Sequence, residues 1–269
     1  MRMAPLITSL QNSRLKALAK LHDAKYRKRE RRVLIDGQRE IRQAIAGGIV
    51  VDEIWFDPER LDVDSWCDDF ERNALANASI QPASAEVLRR LQYGDRNEGM
   101  VAVARTPQWN WSDLSEHAKP LFVILDRIEK PGNIGAVCRT AVAAGVTAVV
   151  LSDCPVEAYN PNAIRSSLGL IFRIPILLAT ATQVASSLQQ LQVPIYVARV
   201  QATKQPYQID FKQAAAIVLG SEAEGLDGIW LEGGLQGVRI PMDERVDSLN
   251  VSVSAAILMY EAVRQRGQP

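Results

Sequence analysis

The chain has 269 residues with 31 basic and 31 acidic side chains, enough for one large domain or two modest ones, and its balanced charge does not by itself recommend a polyanion as partner. No stretch approaches the roughly 20 apolar residues of a membrane-spanning helix, and residues 1–10 lack the sustained apolar core of a secretory signal, so no membrane partner is expected and the expected location is cytoplasmic. Cys67, Cys138 and Cys154 are odd in number and widely spaced, and His22 and His117 stand apart from them, a pattern that speaks against a disulfide framework, a structural zinc site and a His-based triad and predicts no metal.

The charge is unevenly placed. Nine basic side chains fall between Arg14 and Arg32, against Asp23 and Glu30 alone. Leu15, Leu18 and Leu21 recur there at helical spacing, which predicts one amphipathic helix with a basic, solvated face. Residues 33–35 then read as a strand, 38–46 as a helix ended by Gly47-Gly48, and 50–56 as another strand. A mixed block spans 66–90, and the apolar run 99–104 reads as a buried strand closing this α/β unit. Residues 106–119 hold Pro107, Trp109 and Trp111 without a period, so the expected division is a domain over 1–107, a linker over 108–118 and a second domain over 119–269.

Beyond the linker, strands are predicted over 121–125, 148–151, 195–200, 215–219 and 238–241, and helices over 136–144, 182–191 and 251–264. Apolar strands alternating with helices predict an α/β fold with a mostly parallel sheet covered on both faces. Ligands of such sheets bind beyond the carboxyl ends of the strands. The chemistry is therefore expected in the loops that follow residues 125, 219 and 241.

The first of these loops contains Glu129-Lys130-Pro131-Gly132-Asn133-Ile134-Gly135 and leads to Arg139. Gly132 and Gly135 permit close backbone approach, and Asn133 could cap the helix. It is neither a dinucleotide fingerprint nor a P-loop. Arg139, on a mostly apolar helix, needs a partner or a ligand. The second loop, Gly220-Ser221-Glu222 with Gly225-Leu226, exposes backbone amides, while its acids would also suit the start of a helix. The third runs from Ile240-Pro241-Met242 to Ser248-Leu249-Asn250-Val251-Ser252-Val253-Ser254, where Ser248 or Asn250 could cap the last helix.

Together these segments resemble, in order and in strand-to-loop placement, the three motifs of the SpoU/TrmH branch of SPOUT methyltransferases, over residues 119–264. Residues 1–105 are similar to the small RNA-binding domain that ribosomal-RNA members place ahead of the catalytic domain, on Asp36-Gly37 followed by Glu40 and on the closing Gly99-Met100-Val101.

The resemblance implies transfer of a methyl group from S-adenosylmethionine to the ribose 2′-hydroxyl of one nucleotide, in ribosomal RNA first and transfer RNA second. It also implies a deep trefoil knot, which no residue pattern reveals, and a homodimer formed through the C-terminal domain, with the small-residue, apolar helix over 251–260 suited to the contact. By motif position Leu219, Gly220, Ile240, Met242 and Leu249 would hold the cofactor, chiefly through backbone groups. Arg139, Asn133, Glu222, Ser248 and Asn250 would surround the reacting centre. Because guanidinium groups stay protonated in proteins, Arg139 is expected to hold a phosphate or the developing alkoxide. Arg27, Lys28, Arg31 and Arg165 would meet the RNA, with a surface ion pair equally open for Arg165. A non-catalytic RNA-binding protein of the same fold is the rival reading.

Overall fold

The computed structural model describes residues 4–94, 98–114, 117–221, 225–226, 228–232 and 234–267. The chain folds into two compact units, one of residues 1–107 with 159–173 and one of residues 108–158 with 174–269.

In the first unit, strands β1 (Arg32–Asp36), β2 (Val51–Phe56), β3 (Ser79–Pro82) and β4 (Met100–Arg105) form a sheet of order β1-β4-β2-β3. Both neighbours of β4 run antiparallel to it, and β3 lies parallel to β2. Helices α1 (Ser13–Ala19), α2 (Ala24–Glu30), α3 (Gln38–Ala46), α4 (Val63–Trp66), α5 (Asp69–Ala74) and α6 (Ala85–Arg89) connect them. Leu15, Leu18 and Leu21 lie in one buried cluster with Leu34, Trp55 and Val103. Each such side chain contributes on the order of 1.5–3 kcal/mol by leaving water.

The single helix expected over the basic stretch is broken. Asp23 takes an extended backbone and accepts from the Lys25 amide, which starts α2 afresh, and Arg31 ends α2 in the left-handed region at φ 52°. The break turns Arg27 inward. It is 2% exposed and donates to the carbonyls of Leu21 and His22 at 2.7 and 2.8 Å. Arg27 therefore ties α2 to the preceding turn, and its expected place on an RNA-facing surface is corrected.

In the second unit, β5 (Leu121–Asp126), β6 (Ala148–Ser152), β7 (Ile176–Ala179), β8 (Ile195–Ala198), β9 (Ala215–Leu219) and β10 (Gln236–Val238) form one parallel sheet of order β10-β8-β9-β5-β6-β7. Strands β5, β6 and β9 are buried along their whole length, as the continuous apolar runs require. The sequence also builds α7 (Pro131–Ala143), α8 (Pro161–Ser166, in the first unit), α9 (Ala181–Gln190) and α10 (Val251–Arg266). Phe122, Ile124, Val150 and Val218 share a buried cluster with Val184 and Leu188 of α9 and with Trp230. Helices α7 and α10 pack on each other and reach β6 and β9, and none of their described residues joins that cluster, so they cover the opposite face. Leu114 is buried in the same cluster and Trp111 packs edge-on to Phe122 at 5.6 Å, so the segment expected to be a linker belongs to the core of the second unit.

Helix α7 begins five residues before the expected position, because Pro131 occupies its first turn, where a missing N–H costs nothing. Lys130 is its N-cap, without a side-chain bond. The capping role expected of Asn133 is corrected accordingly: it lies inside the helix, leaving its amide for another contact. Strands β3 and β7, four residues each, were too short to show a period.

Candidate active site

Three loop regions leave the carboxyl ends of the parallel strands. At the end of β5, the Asp126 carboxylate is 2% exposed and accepts from Ser152 Oγ at 2.6 Å, while its other oxygen lies 3.2 Å from Arg127 Nε. Arg127 turns the chain at φ 53°, donates its amide to the Ser152 carbonyl at 2.8 Å, and reaches the Gly225 carbonyl with Nη2 at 3.3 Å. The first loop is thus tied both to β6 and to the second loop. Cys154 completes the corner, accepting from the Ile128 amide and donating to the Leu125 carbonyl. Burial pushes its thiol up to about 11, and that of Cys138 up to about 12, so both stay protonated and serve as packing groups.

The second and third loops enclose a cavity of about 410 Å³ at the ends of β8, β9 and β10. Leu219, Gly220, Ile240, Met242 and Leu249 all line it, as does Ser248. Gly220 is required by close approach. A Cβ there would run into the Gly225 carbonyl and lie 2.7 Å from Leu226 Cγ, so only glycine lets the second loop fold back on itself beside the cavity. Its volume suits a nucleoside-sized ligand, and its apolar walls with few polar groups are the usual lining of such sites.

The loops also bring together polar residues remote in sequence. Asn250 caps α10 through Oδ1, which accepts from the Ser252 amide at 2.9 Å and from its hydroxyl at 2.6 Å. Its Nδ2 donates to Asn133 Oδ1 on α7 at 3.2 Å. Asn250 therefore fills the cap and a second role at once. Arg139, two turns along α7, is exposed and makes no hydrogen bond or ion pair with any described residue. Glu222 lies outside the described residues.

The SpoU rRNA Methylase family profile matches residues 120–260, just over half of the chain. The chain belongs to this family. It is 37% identical to a solved RNA 2′-O ribose methyltransferase, with 97% of this chain and 99% of that one covered and a TM-score of 0.82. It is also similar to the SpoU methyltransferase AviRb of Streptomyces viridochromogenes, solved in complex with AdoMet, at 26% identity over 95% of this chain and 98% of that one, with a TM-score of 0.83. Among curated relatives it is 30% identical, over 94% of this chain and 97% of the relative, to the 23S rRNA (guanosine(2553)-2′-O)-methyltransferase RlmP of Bacillus subtilis.

Ahead of the SpoU region, residues 12–102 match an MRM3-like substrate binding domain. Among the described residues of its basic stretch, Arg14 pairs with Glu53, Arg32 lies 3.6 Å from Asp52, and Arg29 stacks over Tyr26 at 4.6 Å. Lys28 and Arg31 are exposed, and their side chains meet no described partner. Arg165 of α8 is half-buried and donates to the Tyr93 carbonyl at 3.4 Å, a contact within the first unit, and its charge also acts on the Asp36 carboxylate.

Sequence reasoning passed over Asp126, Ser152 and Arg127 as working residues. The only local signal was a polar pair directly after the apolar run of β5. Arg199, in the cavity wall, gave no signal, since nothing in its neighbourhood forms a motif.

Proposed function

We propose that the chain transfers a methyl group from S-adenosylmethionine to the ribose 2′-hydroxyl of a nucleotide in ribosomal RNA. The observation that carries this reading is the closed Leu219-Gly220 loop at the cavity, where a missing Cβ lets the loop fold back on itself beside a space of nucleoside size. Apolar walls from Leu219, Ile240, Met242 and Leu249 fit an adenosyl group, with peptide N–H and C=O groups beside them to read its edge. When bound, S-adenosylmethionine supplies an electrophilic methyl on a sulfonium.

What remains for the protein is to hold the alcohol in line and to stabilise the charge left when its proton departs. Arg139 offers a guanidinium that is unpaired among the described residues for a phosphate or the developing alkoxide. Asn133 and Asn250, joined to each other, fix the α7 and α10 ends of the site, and Ser248 and Glu222 complete the polar group by motif position. Lys28, Arg31 and Arg165 are proposed to meet the RNA. The proposed division of labour is RNA substrate binding by the unit that holds 1–107 and methyl transfer by the unit that holds most of 119–269, with 108–118 packed into the latter's core.

We further propose that the third loop and α10 form a deep trefoil knot, as in the family the motifs resemble, that the enzyme acts in the cytoplasm, and that it is a homodimer. An exposed stripe on α10, Val253, Ile257 and Tyr260, supports the dimer; a monomer in analytical ultracentrifugation would remove that reading. No helix among the described residues is long and apolar enough to cross a membrane.

The reaction is tested by mapping 2′-O-methyl sites in total RNA from cells with and without the gene. The expected result is the loss of one ribose methyl from ribosomal RNA. Loss of a base methyl instead overturns the assignment.

A further inference from the structure

Arg199 follows β8, and its amide donates to the Val238 carbonyl at 3.0 Å, which holds this strand end against β10. Its side chain lies along Gly237. A Cβ at Gly237 would stand 2.5 Å from Arg199 Nε and 3.0 Å from Nη2, so the guanidinium occupies room that only a glycine leaves. There Nε is buried with no hydrogen-bond partner. Among the described residues that line the cavity, Arg199 is the one cation and Asp247 the one carboxylate, and no ion pair joins them.

Arg199 is partly exposed, and its buried Nε, cut off from water without an acceptor, is left unfavourable until an anion supplies one. Apart from Asp247, the rest of the wall is mostly apolar, with Gln201, Ser221, Ser248 and Ser254 as its neutral polar side chains, and suits an adenosyl group. S-adenosylmethionine carries a single anionic group, its α-carboxylate, and a guanidinium fork matches a carboxylate in two parallel hydrogen bonds. We propose that Arg199 binds the α-carboxylate of S-adenosylmethionine and so selects the complete cofactor over adenosyl compounds that lack it. The proposal rests on reading the cavity as the cofactor site.

Calorimetric titration of the full chain with S-adenosylmethionine, decarboxylated S-adenosylmethionine and 5′-methylthioadenosine tests it without any turnover. Wild type is expected to bind S-adenosylmethionine about tenfold to a hundredfold more tightly than the decarboxylated form, the range of a hydrogen bond to a charged group. Arg199→Gln is expected to erase that preference while leaving 5′-methylthioadenosine within about twofold, and Arg199→Lys to keep part of it, since the charge remains and the fork is lost. Equal binding of the two cofactor forms by wild type overturns the proposal even if Arg199→Gln does not fold. An equal loss for all three ligands in Arg199→Gln also overturns it, because the residue would then support the cavity as a whole. If no adenosyl compound binds wild type, the cofactor reading of the cavity fails, a result separate from loss of the preference alone.

Discussion

Asn250 donates to Asn133 across 117 residues of sequence, at 3.2 Å, while its own oxygen caps α10. One side chain thus starts a helix and locks that helix to α7. The two duties separate by substitution. Asn250→Asp keeps a good cap and loses the donor, so thermal stability should stay within about 0.5 kcal/mol while kcat falls. Asn250→Ala loses both and should cost about 1 kcal/mol in stability as well. A double-mutant cycle with Asn133→Ala should show a coupling of about 0.5–1.5 kcal/mol, and additivity would mean that the bond contributes nothing.

Arg139 is exposed and unpaired among the described residues, so its removal should leave folding alone. Arg139→Ala is expected to change stability by less than about 0.5 kcal/mol and to lower kcat by about a hundredfold or more. Arg139→Lys should recover little, because an ammonium keeps the charge without the fork. Near-normal turnover in the lysine variant would remove the clamp role.

The basic stretch divides into structural and available charges. Arg27→Ala strips two carbonyls of a buried donor and is expected to destabilise the protein by about 2 kcal/mol or more in urea unfolding. Lys28→Ala with Arg31→Ala should leave stability unchanged, weaken RNA binding, and reduce the dependence of log affinity on log salt by about 1.5 for the pair. An unchanged salt slope would place the RNA elsewhere.

Asp36 lies at the end of β1, and burial, aided by the charges of Glu98 and Glu40, pushes its carboxyl up to about 6 against the opposing Tyr93 amide and Arg165. Its folded value exceeds the unfolded one near 3.8, so the folded state holds its proton more tightly. Stability should therefore fall as pH rises from about 4 to 6, by about 1–2 kcal/mol after allowance for solvent screening. Asp36→Asn should abolish that decline, which denaturant titrations at a series of pH values would record.

Where a local rule decides the structure, the sequence is readable. Helix α3 ends at Gly47 as its glycines require, and the apolar run Ala215–Leu219 is a buried central strand. The single helix over the basic stretch failed because one side chain, Asp23, makes a better cap than an interior residue. The burial of Arg27 follows from that turn and could not be seen in a charge count. The three loops were marked by glycines and small residues, but the Asn133 to Asn250 bond and the Arg199 guanidinium against Gly237 depend on strands meeting in an order that no local pattern encodes.

The most direct test of the methyl transfer is to incubate the purified chain with methyl-labelled S-adenosylmethionine and ribosomal RNA from cells lacking the gene, then hydrolyse the RNA in alkali. A methylated 2′-oxygen cannot attack the neighbouring phosphodiester, so ribose methylation predicts label in alkali-resistant dinucleotides. Label released in mononucleotides, or no label in RNA at all, would contradict the account.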